Sequence, residues 1–238
     1  MGTAGYATIS RQSGLMREMR VIANNIANSA TTGYRQEGLI FSEFVQSSPG
    51  QPSVSMSRAN IFNTSMEQGQ LTNTGGTFDF AIEGDGFFMV ETPQGERLTR
   101  SGAFSPNAAG DLVTMDGYRV LDAGRAPVFV PPDAGKIEVG ADGSLSANGR
   151  LLGQLGLFKP VEKHTLVRED GVMFRVEGDI EENFDSKVLQ GFLEGSNVNA
   201  ISEVSRMIEV QRAYEMGQSF LQTEDERIRN AIKNLIKS

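Results

Sequence analysis

The sequence has no cysteine and one histidine, His164, in 238 residues. Without cysteine there are no disulfides, thiolate nucleophiles, zinc-thiolate sites or iron–sulfur clusters, and either an oxidising or a reducing compartment is allowed. A single imidazole leaves little for acid–base or metal chemistry. Positive charge is also in deficit: the net charge of -8 opposes binding to a phosphate backbone, so nucleic acid is not an expected partner. No apolar run approaches the roughly 18 residues that span a bilayer. The start, Met1-Gly-Thr-Ala-Gly-Tyr-Ala-Thr-Ile-Ser10, lacks the basic and apolar regions of a secretory signal. The expectation is a soluble chain with no membrane span, either cytosolic or released by a route that reads no cleavable signal.

What is present is unevenly distributed. All eight prolines lie between Pro49 and Pro160, so both ends lack the residue that costs a helix interior about 3 kcal/mol. Residues 1–35 carry net +3, residues 198–238 net 0, and the centre therefore holds -11. Glycine, at 27 residues, exceeds the usual share of about 7% and points to a turn-rich chain. Helical ends around a β-rich, acidic middle is the first reading, in a chain long enough for one or two cored domains.

Leu15, Met19, Ile22 and Ile26 recur at spacings of four, three and four, the seam of a helix packed on one partner. Gly33, which tolerates the left-handed backbone that ends helices, marks its stop. Met207, Val210, Tyr214, Leu221, Ile228 and Leu235 keep one heptad phase, with Gly217, Glu224 and Ala231 at the weaker positions. Ile201, Val204 and Ile208 add a second stripe, and the pattern predicts one helix from about residue 199 to about 236. Such stripes ordinarily form a core, but the energies leave a shortfall. Four buried apolar side chains return on the order of 6–12 kcal/mol. Ordering some twenty residues costs on the order of 20–40 kcal/mol, only partly offset by hydrogen bonds. The first helix needs a partner, and the second has surface left over for neighbouring subunits. The terminal segments are expected to be weakly ordered in a free monomer and to become a coaxial helix pair on assembly.

Between the stripes runs Ala23-Asn24-Asn25-Ile26-Ala27-Asn28-Ser29-Ala30-Thr31-Thr32-Gly33-Tyr34-Arg35. Asparagine competes for the backbone in helices, so three in five residues is a local cost that something must repay. One asparagine reads as a cap at a fraying helix end. The cluster, with Asn24 and Asn28 four apart and Asn25 beside them, predicts amides sharing the Val21 side and contacting adjacent chains.

This string resembles the N-terminal signature of the axial proteins of the bacterial flagellum, the rod and hook family, roughly A-N-N-x-A-N-x-x-T-x-G-Y-[KR]. Every fixed position is matched. Phe78-Asp-Phe-Ala-Ile-Glu-Gly-Asp-Gly-Phe-Phe88 is similar to the family's L-D-x-A-I-x-G-x-G-F-F segment, with Phe78 for leucine, and continues into Leu98-Thr-Arg-Ser-Gly-Ala-Phe104. Leu193-Glu-Gly-Ser-Asn-Val-Asn199 and Met207-Ile-Glu-Val-Gln-Arg-Ala-Tyr-Glu215 are similar to its C-terminal signature. The three blocks span nearly the whole chain. Its length leaves no room for the hook protein's extra outer domain, and the shortest rod proteins lack most of the central β domain. The short chain and the tail from Gln222 to Ile232 place the proximal rod type above the distal rod type.

Residues from about 76 to 190 read as short strands punctuated by Gly, Asn, Asp and Pro. Phe78, Phe80 and Ile82 alternate with polar or small residues, as in a strand with one buried face. Asp116-Gly117 and Asn148-Gly149 each read as a hairpin turn with positive φ. In residues 36–75, Phe41, Phe44 and Val45 could end a helix or start a strand, and Ser47-Ser-Pro-Gly-Gln-Pro52 reads as a turn-rich linker.

Catalytic chemistry has little to stand on. Gly84-Asp-Gly86 lacks the dinucleotide spacing and any following Gly-Lys-Ser/Thr, and reads as a β corner. Glu169-Asp170, Glu181-Glu182 and Glu224-Asp225-Glu226 lack calcium-loop spacing and read as solvated faces. His164 reads as a surface strand residue, and serine with aspartate but no base makes no ordinary triad. No enzyme, cofactor or metal site is expected.

The expected fold is α+β: paired N- and C-terminal helices, coiled-coil-like, flanking a central glycine-rich all-β domain. Residues 1–35 with 198–238 form the helical assembly core, 36–75 an extended connector and 76–197 the β domain. The expected assembly interface comprises Leu15, Met19, Ile22, Asn24, Asn25, Ile26, Asn28, Thr32, Gly33, Tyr34, Met207, Val210, Tyr214, Leu221, Ile228 and Leu235. The resemblance implies a structural subunit of the basal-body rod crossing the periplasm, polymerising helically and transmitting torque. It also implies other rod subunits and the flagellar type III export apparatus as partners. The alternative from another class is a monomeric acidic β module that captures a basic partner.

Overall fold

The computed structural model describes residues 3–46 and 54–237, and the Ser47–Pro52 linker of the sequence reading lies outside them. The described chain is α+β, with one helix at each end and strands between. Two units separate. The first comprises residues 1–27, 37–65 and 199–238, and the second residues 28–36 and 66–198.

In the first unit, α1 (Thr3–Ala27) packs along α2 (Ala200–Lys237). The second helix begins where the heptad phase predicts, because Asn199 caps it: its side-chain oxygen accepts from the Ser202 N–H at 3.0 Å. Glu203 adds an acidic residue to the first turn, where the helix dipole favours it. α1 stops six residues before Gly33, and the intervening residues turn instead of continuing the helix. The same unit contains a two-stranded antiparallel ribbon, β1 (Glu37–Gln46) and β2 (Val54–Thr64), with a register shift at Ile40/Phe41. Residues 37–46 are therefore strand, which resolves the helix-or-strand choice at Phe41 and Phe44.

The second unit is built from short strands. β3 (Leu71–Asn73) and β4 (Phe80–Glu83) precede the hairpin β5 (Phe87–Thr92) and β6 (Gly95–Thr99), followed by β7 (Phe104–Pro106), β8 (Leu112–Thr114) and β9 (Arg119–Val120). β10 (Ile137–Val139), β11 (Ser144–Ala147) and β12 (Arg150–Gln154) form a separate antiparallel sheet. β13 (Leu157–Pro160) pairs β5, β14 (Leu166–Asp170) and β15 (Met173–Val176) form a hairpin, and β16 (Ile180–Glu182) pairs β13. The last two strands return to the first two: β17 (Lys187–Gln190) pairs β4, and β18 (Phe192–Glu194) pairs β3.

β5 lies inside the nine-stranded sheet and is buried on both faces. Phe88 and Val90 face one cluster with Phe80, Ile82, Phe104 and Leu112, while Phe87 and Met89 face another with Leu98, Phe158 and Phe174. A continuous apolar run is the pattern such a strand requires. β4 corrects the one-faced reading of Phe78, Phe80 and Ile82: Ala81 is buried as completely as its neighbours, and Phe78 is only half-buried. Asn148 and Gly149, with φ of 50° and 77°, make the tight turn between β11 and β12. The corner at Gly84-Asp-Gly86 is also as read, with φ of 106° and 121° at its glycines. His164 sits on a single 3-10 turn, Lys163–Thr165, rather than in a strand, exposed and 3.2 Å from Glu162.

Candidate assembly interface

The helix pair is antiparallel. Gln12 donates to the Tyr214 carbonyl at 2.8 Å, Arg206 to Glu18 at 2.8 Å, and Asn25 to Glu203 at 3.0 Å. Of the predicted α1 seam, Ile22 is fully buried together with Val21, and Leu15, Met19 and Ile26 are half-buried. On α2 Val210 is buried, and Met207, Tyr214 and Leu221 are half-buried. At Gly217 the Gln12 side chain lies against the α2 backbone in the space a Cβ would fill. Ile228 and Leu235, in the same phase, are exposed, as are Ile201, Val204 and Ile208 on the opposite face.

The three asparagines separate. Asn25 is fully buried and its amide is spent inside the chain. It donates to the Glu37 carbonyl at 2.8 Å and to Glu203, and accepts from the Glu37 N–H at 3.0 Å. One side chain thus ties α1, β1 and α2, and this repays its poor helix propensity. Asn24 is exposed on the helix surface, off the face that Asn25 shares with Val21 and Ile22. Asn28 lies beyond α1, in the turn, accepting from the Thr31 hydroxyl at 3.1 Å.

Thr32, Gly33 and Tyr34 belong to the second unit. Gly33 donates to the Glu194 carbonyl at 2.7 Å, and a Cβ on it would stand 2.3 Å from the Ser101 backbone nitrogen. With φ at 72° as well, the position accepts only glycine. Tyr34 is buried with its ring 4.4 Å from the Arg168 guanidinium, which also covers Phe174 at 4.7 Å. Thr32 is half-buried.

Beside them lies a charge cluster that the sequence reading did not single out. Glu194 receives Arg35 at 2.8 Å and Arg100 at 3.0 Å, with all three side chains at most 2% exposed. The Gly69 N–H adds a third donor to the carboxylate at 3.0 Å. Arg35 also reaches the carbonyls of Met66 and Glu67, and Arg100 that of Gly84 at 2.7 Å. Burial pushes the Arg100 pKa down to about 10 despite the attraction of Glu194, and lowers that of Arg35 as well. Asn197 completes the tie, accepting from the Gln36 N–H at 2.6 Å and donating to the Glu67 carbonyl at 2.8 Å. A signal was available in the sequence: each of the three blocks quoted above contributes one member, Arg35, Arg100 and Glu194. Those motifs meet as a clamp that holds residues 33–36 in the β unit.

The acidic clusters lie on solvated surface, and some of their members form ion pairs there. Glu169 meets Arg175 at 2.9 Å and also Arg97, while Glu224 and Asp225 meet Arg227 and Arg229 at 2.8 and 2.7 Å. Among the described residues no group of three or more His, Cys, Asp or Glu is placed to hold a metal ion, and no helix is long and apolar enough to cross a membrane.

Three family models match the chain. Residues 6–35 match "Flagella basal body rod protein", 81–147 "Flagellar hook protein FlgE/F/G D1 domain", and 189–234 "Flagellar basal body rod FlgEFG protein C-terminal". The flagellar basal-body rod protein FlgF of Mesorhizobium japonicum is 40% identical, covering 97% of this chain and 96% of its own. That of Rhizobium meliloti is 38% identical over 99% of this chain and 98% of its own. The rod protein FlgG of Agrobacterium fabrum is more distant, at 34% over 91% of this chain and 93% of its own. Identity at this level over nearly the full length, with the family's models matching at both ends and in the middle, makes the chain a member of the flagellar basal-body rod protein family, of the FlgF type.

Proposed function

We propose that this rod protein polymerises helically through its terminal helix pair, forming the proximal part of the torque-transmitting shaft that crosses the periplasm. The observation that carries the reading is the second stripe of α2. Ile201, Val204 and Ile208 point away from α1, and Ile201 is 81% exposed, so the apolar face has no cover among the described residues of its own unit. A helical polymer supplies that cover through heterologous contacts, each copy offering two different surfaces. The interface comprises the exposed α2 positions with Asn24 and the half-buried Leu15, Met19 and Ile26 of α1, whereas Asn25, Gly33 and Tyr34 position the chain from within. Close-packed helices resist twist because such interiors are hardly compressible. Other rod subunits are the partners, and family membership supports export through the flagellar type III apparatus. The role is structural, with no catalytic step.

Incorporation tests the proposal. The full chain with Ile22→Asp, which breaks the buried seam of α1, keeps the β unit folded by its near-ultraviolet circular dichroism yet is absent from isolated basal bodies. Normal motility with this variant as the sole copy overturns the reading, and a particle size independent of concentration returns the monomeric acidic module.

A further inference from the structure

Two features of the helical unit match one another. In the register set by Gln12 with Tyr214 and Glu18 with Arg206, Thr3 falls opposite about residue 223, so roughly the last fourteen residues of α2 run beyond α1. Ile228, Ile232 and Leu235 keep the helical phase of Val210, Tyr214 and Leu221, which face α1. The α1-facing stripe thus continues past the described residues of α1, and Leu235 is 76% exposed. The second feature is a cleft of about 310 Å³ along the flank of the pair, lined by Thr8, Leu15, Ala213, Met216 and Phe220, with Arg11 and Gln12 beside them.

Within one copy these surfaces cannot meet, because α2 is unbroken from Ala200 to Lys237 and cannot fold its end back onto residues 213–220. We propose that the overhang of α2, residues 223–237, seats in the α1/α2 cleft of a second copy. The overhang continues an interface that the chain already makes with its own α1, and its apolar stripe meets an apolar floor. Because overhang and cleft are different surfaces, the contact is head-to-tail and does not close, as a rod requires. This inference rests on the assembly reading above and names the contact that reading leaves open.

The absence of native cysteine makes the test direct. Full-length chains carrying Thr8→Cys or Ile232→Cys are mixed in equal amounts and oxidised, with Thr8→Cys plus Ile201→Cys as the control pair. A heterodimer from the 8/232 mixture, a multimer ladder from the doubly substituted chain, and neither from the 8/201 pair are expected. Concentration-dependent association without 8/232 linkage overturns the seat and leaves terminal-helix assembly standing. A chain that stays monomeric at every concentration overturns both. In a second variant, Ile228→Glu with Ile232→Glu, the expected result is self-association weakened about tenfold or more at unchanged helix content. Association equal to the parent's overturns the proposal.

Discussion

The β unit closes an apolar core of its own, although Met115, Leu151 and Phe184 stay exposed on its surface, whereas the described helices bury one stripe and leave others open. Phe80, Phe88, Met89 and Val90 are wholly buried, whereas Ile201, Met216, Ile232 and Leu235 are half or more exposed. On the assembly proposed above, the difference separates the part of the fold with its own core from the part that neighbours would complete. A sheet buried on both faces needs nothing further, but two long helices bury only one stripe against each other. The two units also differ in how they bury polar groups. In the β unit a full ion cluster, Arg35, Glu194 and Arg100, is sealed from water. Among the described residues of the helical unit the buried polar set is Asn25 with Glu203 and Glu37, and it sits at one end of the pair.

The contrast breaks most severely at Glu194. A buried ion pair is weak evidence of stability, but removing one partner leaves uncompensated charge, and here two guanidiniums lose the same carboxylate. Glu194→Gln keeps the shape and removes the charge. The β unit is expected to lose about 3–5 kcal/mol in denaturant unfolding. Residues 33–36 are expected to lose amide-exchange protection at the same time. Unchanged protection at Gly33 and Tyr34 would show that the clamp does not hold this segment.

The clamp also shows why part of the structure was legible in sequence and part was not. α2 was readable to within a residue or two because its apolar phase runs unbroken and Asn199 caps it. The Asn148-Gly149 turn was readable because few other residues adopt its backbone angles. Both signals are local. Arg100 and Glu194 lie 94 positions apart, and no period or spacing links them before the chain folds. The same distance hid the allegiance of Thr32, Gly33 and Tyr34, which follow a helix in sequence but belong to the β unit. The buried role of Asn25 was hidden for a related reason. Its amide looked available for another chain because its partners, Glu37 and Glu203, cannot be identified from neighbouring residues.

A milder break falls at the other end of the comparison. Asn25→Ala leaves the Glu203 carboxylate and the Glu37 N–H buried with one partner fewer, a loss of about 1–3 kcal/mol. The loss belongs to the helical unit alone. Thermal unfolding followed at 222 nm is expected to shift, while near-ultraviolet dichroism from the phenylalanine-rich β core keeps its midpoint. Equal shifts in both signals would mean that the two units melt as one, and the contrast between them would be false.

The smallest effect on stability is the sharpest test. Ile201 faces water on the first turn of α2, so Ile201→Ser removes almost no burial from the monomer and is expected to change its unfolding free energy by no more than about 0.5 kcal/mol. Association is a different matter. If the outward stripe is covered by another copy, losing its most exposed isoleucine forfeits apolar burial at every contact, and self-association weakens while the monomer melts as before. Sedimentation across a concentration series reads the first quantity and denaturant titration the second. A variant that associates like the parent would show that exposure at this position is incidental, and the case for assembly would then rest on the overhang and the cleft alone.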